Sequence, residues 1–305
     1  SEDTLEELKD KVRLATILGT YQATLTDFKY LRKKWQINTE EERLLGVSLT
    51  GIMDSLLTNG RAYKNVEKGL KETLTTLKNV AIETNKEYAK ALGINPSAAI
   101  TCVKPSGTVS QLTDTASGIH ARHSGHYIRR VRGDMKDKLT QFLRDSNITF
   151  EHAISGFEDL DQTKPIYNNN IGVFSFPINA PKNCVTRDDE TAVDQLELWL
   201  SYYRHWCEHK PSITVTVREE EWMTVAAWVY DHFDEMSGIS FLPYDGGKYT
   251  QAPYETVNET EYQNLLKNTP TTIDWSALSQ YENEDQTKSS QEFACTSDFC
   301  EVVDI

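Results

Sequence analysis

Ser212-Ile-Thr-Val-Thr-Val217 alternates β-branched apolar residues with polar ones at a period of two, the pattern of a strand with one buried face. It lies between two helical patterns. Residues 189–208 place Val193, Leu196, Trp199, Leu200, Tyr203 and Trp206 at spacings of three and four, and 219–233 reads as another helix. A short apolar run over 239–242 follows. A strand, a helix and a second strand in that order require a crossover connection, which joins strands in parallel. This segment therefore predicts an α/β fold with parallel pairings.

The first third is richer in helix. The spacing predicts helices over 3–35, 40–58 and 62–91, the last with Lys64, Glu67, Lys68, Lys71 and Glu72 on a solvated face. Gly46 and Gly51 inside the second read as sites of close packing. Beyond Gly93 the run Ala98-Ala-Ile-Thr-Cys-Val103 reads as a buried strand. Strands are further expected at 127–131 and 168–177, with a helix at 136–145. After 268 the chain turns polar, and 280–291 has the composition of a flexible tether. The expected organisation is a domain over 1–268 and a tail over 269–305.

Charge and composition narrow the function. A net charge of −14 over 305 residues argues against nucleic acid as a partner, because phosphate backbones need a basic face. No run of 18 apolar residues exists, so no membrane span is expected. Five cysteines make a poor disulfide framework and suit a reducing cytoplasm. Cys102, Cys184 and Cys207 read as small buried hydrophobes. The chain opens on Ser1, directly ahead of a helical pattern, which suggests a cut end: a split gene, protein splicing or a cloning boundary.

Three motifs carry chemistry. Pro105-Ser-Gly-Thr-Val-Ser110 follows a strand with a turn rich in small hydroxyl residues. Ser106, Thr108 and Ser110 offer hydroxyls, while Gly107 lets a phosphate approach the backbone. A plain connecting turn is the competing reading. Near the C-terminus, Phe293-Ala-Cys-Thr-Ser-Asp-Phe-Cys300 places two cysteines on a polar leash. Such a pair could exchange with a disulfide elsewhere, could be two stray exposed thiols, or could be half of a zinc site. The third, Gly118-Ile-His-Ala-Arg-His-Ser-Gly-His126, has three histidines but no carboxylate at ligand spacing, which favours hydrogen bonding over metal binding. No metal site is expected.

Taken in order, several segments resemble the class II (adenosylcobalamin-dependent) ribonucleotide reductases. They are Leu45-Gly-Val-Ser-Leu-Thr-Gly-Ile-Met53, Lys104-Pro-Ser-Gly-Thr-Val-Ser110, Ser117-Gly-Ile-His-Ala-Arg-His123, Tyr127-Ile-Arg-Arg-Val-Arg132, Arg204-His-Trp-Cys-Glu-His-Lys-Pro-Ser212, Ser237-Gly-Ile-Ser-Phe-Leu-Pro243 and the two-cysteine tail. The likeness covers nearly the whole chain and is nearest to the monomeric ribonucleoside-triphosphate reductase branch. It implies the C-terminal part of a ten-stranded α/β barrel, with an α-rich first third. It further implies that Pro105, Ser106, Gly107, Thr108, Val109 and Ser110 hold the substrate's phosphates. Cys295 and Cys300 match the family's tail pair, which re-reduces the active-site disulfide and is itself reduced by thioredoxin.

The family's radical-bearing cysteine, its catalytic Asn and Glu, and the two cysteines that reduce the ribose match nothing in this chain. The resemblance places them upstream. The implied reaction converts ribonucleotides, as triphosphates, to deoxyribonucleotides by thiyl-radical chemistry initiated by adenosylcobalamin. This chain would need an N-terminal half as partner and would be inactive alone. A diphosphate reductase and a non-catalytic remnant that binds nucleotides or another chain stand as alternatives.

Overall fold

A computed structural model describes residues 2–159, 161–244 and 250–282, and the backbone alone of 292–296 and 299–303. Its helices are α1 (Leu5–Gln22), α2 (Lys33–Glu42), α3 (Val66–Leu92), α4 (Val109–Leu112), α5 (Lys138–Asp145), α6 (Ala192–His205), α7 (Trp222–Asp231) and α8 (Glu259–Lys267). The strands are β1 (Val47–Ser48), β2 (Thr101–Cys102), β3 (His126–Asp134), β4 (Phe150–Phe157), β5 (Pro165–Asn179), β6 (Ile213–Val217), β7 (Ile239–Pro243), β8 (Tyr254–Thr256), β9 (Glu292–Thr296) and β10 (Phe299–Val303). The mixed α/β expectation holds. Contacts divide the chain into two compact units, 1–127 with 179–248 and 128–178 with 249–305.

The first unit begins with α1, started by a capping box. The Thr4 hydroxyl accepts the Glu7 N–H at 3.3 Å, and the Thr4 N–H donates to the Glu7 carboxylate at 2.8 Å. Its buried face, Val12, Thr16 and Thr20, packs on α3. Those threonines return their hydroxyls to Val12 O and Thr16 O, so both buried donors are paired. The third helix starts at Asn65, which caps the Lys68 N–H at 3.0 Å, and stops at Gly93 in the left-handed region (φ 67°). It buries Leu70, Leu74, Leu77 and Ala81. Against this face pack Trp199, Tyr202 and Trp206 of the α6 region, with Ile213, Val215 and Val217 from the alternating strand. The polar atoms of all three aromatics have partners: Trp199 Nε1 donates to Pro211 O at 3.3 Å, Trp206 Nε1 to Cys102 O at 2.8 Å and Tyr202 OH to Thr58 O at 2.8 Å.

The parallel pairing of β6 with β7 occurs as expected, in the register Ile213↔Ile239, and a second parallel pair, β1 with β2, forms where the sequence reading had a helix. The helices of the first third differ from the sequence reading in two places. The helix expected over 3–35 is two, α1 and α2. Between them the hydroxyls of Thr24 and Thr26 bond Tyr21 O and the Glu40 carboxylate, offering the chain an alternative to helix. The helix expected over 40–58 ends at Glu42, and the chain then runs extended. Leu45 and Val47 donate to Ala99 O and Ile100 O at 3.0 and 2.9 Å, and Gly51 turns at φ 70°. A Cβ at Gly51 would sit 2.9 Å from Thr115 Cβ. The extended run at 45–48 is only four residues long before the turn, so its spacing cannot separate strand from helix.

The second unit is a four-stranded sheet in the order β4-β5-β3-β8, with β4 antiparallel to β5. Strands β4 and β8 and helix α8 are absent from the sequence reading. Gln251, at φ 56°, closes the free edge of β4: its amide accepts from Ile154 N–H at 2.8 Å and donates to His152 O at 2.9 Å. Phe142 of α5 packs against Trp275 and Tyr281 at ring distances of 5.5 and 5.6 Å.

Candidate functional site

The segment 104–118 leaves β2, makes the Pro-Ser-Gly turn and the single turn of α4, and returns beside residues 50–54 in the first unit. Of the three hydroxyls in 105–110, two point into structure and one does not. Ser106 Oγ lies 2.6 Å from Thr50 Oγ1 and accepts the Gly118 N–H at 3.0 Å. Ser106 N–H donates to Ser117 Oγ at 3.1 Å. Buried Ser110 returns its hydroxyl and its N–H to Ser106 O. Among the described residues, nothing accepts from the Thr108 hydroxyl or from the N–H groups of Gly107, Thr108 and Val109. All three residues are exposed. The tip is therefore a run of three uncommitted amides and one hydroxyl on a base that is fully bonded, an arrangement suited to phosphate oxygens.

Gly118 is required for this return. It sits at φ 57°, and a Cβ there would lie 2.8 Å from Lys104 O, so any side chain would push the two legs of the loop apart. Gly107 is different: a methyl there would meet no atom within 4 Å, and its φ is not positive. Folding does not require that residue to be glycine.

Beneath the return leg, Asp54 and Arg122 form a buried ion pair. His120 has both ring nitrogens engaged: Nδ1 faces Ser117 O at 3.1 Å, and Nε2 accepts the Thr214 N–H at 3.1 Å. Burial pushes this imidazole below its usual range. Burial also pushes His123 down to about 4, and the Arg187 charge adds to it. Among the described residues no group of three or more His, Cys, Asp or Glu side chains could hold a metal ion. His120, with both ring nitrogens bonded inside the chain, has none left for a metal ion.

Cys102 and Cys207 are buried and free. Burial raises the Cys102 thiol and pushes Cys207 up to about 12, with Cys102 as the second influence. Cys184 departs from the buried reading, being only half-buried, though burial raises its thiol too. In the tail, β9 and β10 pair antiparallel, and Cys295 and Cys300 are Cα partners in that register. Their side chains, and the tether expected over 280–291 from residue 283 on, lie outside the described residues.

The sequence pattern reveals the loop but not its supports. Thr50 and Ser117 stand inside the motifs without a role, since nothing in spacing says which of many hydroxyls a distant loop will use. Asp54 and Arg122, 68 positions apart, give no local signal either.

The chain is thus a mixed α/β protein with parallel strand pairs and a Pro-Ser-Gly loop of open amides. No family model matches the chain. Over 288 residues it is 27% identical to an adenosylcobalamin-dependent ribonucleoside-triphosphate reductase of Lactobacillus acidophilus, a match covering 85% of this chain and 37% of the relative. It is likewise 27% identical over 300 residues to the Lactobacillus helveticus protein of the same name, covering 88% and 38%. A crystal structure of a B12-dependent (class II) ribonucleotide reductase shares the fold, with a TM-score of 0.73 at 23% identity, over 91% of this chain and 40% of that one. The chain thus spans about two-fifths of the length of the relatives it matches. The resemblance to class II ribonucleotide reductases noted in the motifs is borne out: the chain is related to them over most of its length.

Proposed function

We propose that this chain supplies part of an adenosylcobalamin-dependent ribonucleotide reductase that acts on ribonucleoside triphosphates. The observation that carries the proposal is the run of three unpaired amides at Gly107, Thr108 and Val109, inside a chain related to such reductases. In this reading Pro105–Ser110 receives the substrate's phosphates, with Ser106 and Ser110 shaping the loop and Thr108 donating to an oxygen. Residues 1–268 form the C-terminal part of the reductase barrel, the parallel pairs β1–β2 and β6–β7 being pieces of it, and 269–305 act as a tail.

The tail's chemistry is disulfide exchange. One thiolate of the Cys295/Cys300 pair attacks the active-site disulfide and forms a mixed disulfide, releasing one active-site thiol. The second attacks that mixed disulfide, releasing the other thiol and leaving the tail pair oxidised. Two electrons and two protons pass inward, and a thioredoxin dithiol returns them to the tail. Adenosylcobalamin, when bound to the complete enzyme, supplies the radical. An N-terminal part supplies the radical cysteine and the thiols that reduce the ribose.

The test is reconstitution. The chain is combined with an N-terminal part of a related reductase and adenosylcobalamin, and deoxynucleotide formation from a ribonucleoside triphosphate is followed. Activity dependent on both parts is expected. Substrate binding without turnover by a correctly assembled pair would point instead to a non-catalytic remnant, and preference for the diphosphate would correct the substrate.

A further inference from the structure

We infer that His120 is the positioning residue of the phosphate loop, its imidazole tying the Ser106–Ser117 junction to the open edge of β6. The inference rests on the phosphate reading of 105–110 and adds what holds that loop in shape.

The geometry fixes which nitrogen carries the proton. The Thr214 backbone N–H can only donate, so Nε2, 3.1 Å away, must accept. The proton of the neutral ring is then on Nδ1, where it donates to Ser117 O at 3.1 Å. Ser117 in turn accepts the Ser106 N–H, and Ser106 accepts the Gly118 N–H. One imidazole therefore links the loop's base to the sheet.

Among the described residues, no strand pairs with the edge it uses. Ile213 N–H donates to Gly238 O on the β7 side, so the amides of Thr214 and Thr216 face the opposite edge. Side chains stand in for a strand there: His120 at Thr214, and Gln195 Oε1 at Thr216, 3.2 Å away. Protonation of His120 would set an Nε2–H against the Thr214 N–H, two donors face to face, and break the tie. The influences on this ring are burial, which favours the neutral form, and the Ser117 carbonyl, which opposes it; among the described residues no charged side chain acts on it.

The experiment uses the full chain in three measurements. Histidine 15N spectra should show His120 as the Nδ1–H tautomer, and an Nε2–H tautomer would overturn the inference. Amide hydrogen exchange over 106–118 should speed up about tenfold or more in His120→Ala and less in His120→Gln, whose side chain reaches the Thr214 amide; unchanged protection in a folded His120→Ala would overturn it. Inorganic tripolyphosphate should bind His120→Ala about tenfold more weakly than wild type at pH 7.5, and, since the ligand's own titration is common to both proteins, that ratio should shrink only below the usual imidazole range, where His120 takes up its proton. A His120→Ala protein with wild-type affinity and the wild-type pH profile would refute the positioning role. If wild type binds no tripolyphosphate, the phosphate reading falls, and the tautomer and exchange results decide the His120 inference by themselves.

Discussion

Arg122 grips Asp54 with two parallel bonds, Nε to Oδ1 at 3.0 Å and Nη2 to Oδ2 at 2.8 Å, and both side chains are buried, 4% and 1% exposed. The pair also reaches outward. Arg122 donates to Asp114 O at 2.6 Å and Tyr127 OH at 3.2 Å, while Asp54 accepts the Ala116 N–H at 2.8 Å. The return leg of the Pro105–Ser110 loop therefore hangs on this pair from both sides. Removing one partner strands the other as a buried charge, which costs about 3–5 kcal/mol. Arg122→Met and Asp54→Leu should each lower the unfolding free energy measured in urea by that amount, and the double variant should recover much of it. Additive losses in the double variant would show that the pair does not act as a unit.

Glu190 predicts an alkaline loss of stability. It is 9% exposed, and burial pushes its carboxyl up to about 8, with the Asp194 charge as the next cause. Between the usual carboxylate range and about 8 the folded chain holds a proton that the unfolded chain has released. Stability contributed by this group is thus present at low pH and falls as pH rises through that window. Glu190→Gln should match wild type near pH 5 and exceed it by on the order of 2–4 kcal/mol near pH 9. Urea unfolding across that range checks it, and parallel curves for the two proteins would show that Glu190 titrates normally.

What can be read in the sequence follows from how each element is covered. Helix α3 and strand β6 each bury one face, so their periods of 3.6 and two survive in the residue pattern. Residues 45–48 alternate buried and exposed, but only for four positions before the buried turn at 51–55, too short a run for a period of two to stand out, and the reading as helix fails. Strand β4 escapes notice because Phe150–Phe157 carries Glu, His, Ser and Gly on a half-exposed edge, and its pairing with β5 has two register shifts. The Pro105–Ser110 loop is legible through its small residues. Its supports at Thr50, Asp54, Ser117 and Arg122 are not, because they are long-range pairings that a linear pattern does not record.

The cysteines should separate by reactivity. Cys102 and Cys207 are buried with raised thiols, so at neutral pH they carry almost no thiolate. A thiol reagent applied to the folded chain should modify neither until denaturant is added, and Cys184 only slowly. Replacing these three by Ala should leave reductase turnover in the reconstituted enzyme unchanged apart from stability. Cys295→Ser and Cys300→Ser should each stop thioredoxin-driven multiple turnovers while sparing the first. Continued thioredoxin-driven turnover in either tail variant would remove the exchange role.

Gly107 and Ser106 give the sharpest division between folding and binding. With open space around a Cβ at position 107, Gly107→Ala should leave stability within about 0.5 kcal/mol of wild type. A phosphate resting on the adjacent amides would meet that methyl, and binding should weaken by about tenfold or more. Ser106→Ala acts on the base of the loop: it removes one acceptor of the Gly118 N–H and one partner of Thr50. Gly118 N–H keeps Thr50 Oγ1 at 3.0 Å and Thr50 keeps Ala116 O at 3.1 Å, so the loss is that of ordinary hydrogen bonds, about 1 kcal/mol, and stability and binding should fall together. Calorimetric titration with a ribonucleoside triphosphate, alongside thermal unfolding of both variants, distinguishes the two effects. Should Gly107→Ala bind the nucleotide as wild type does, the open amides at 107–109 are not where its phosphates rest, and the loop is a connecting turn.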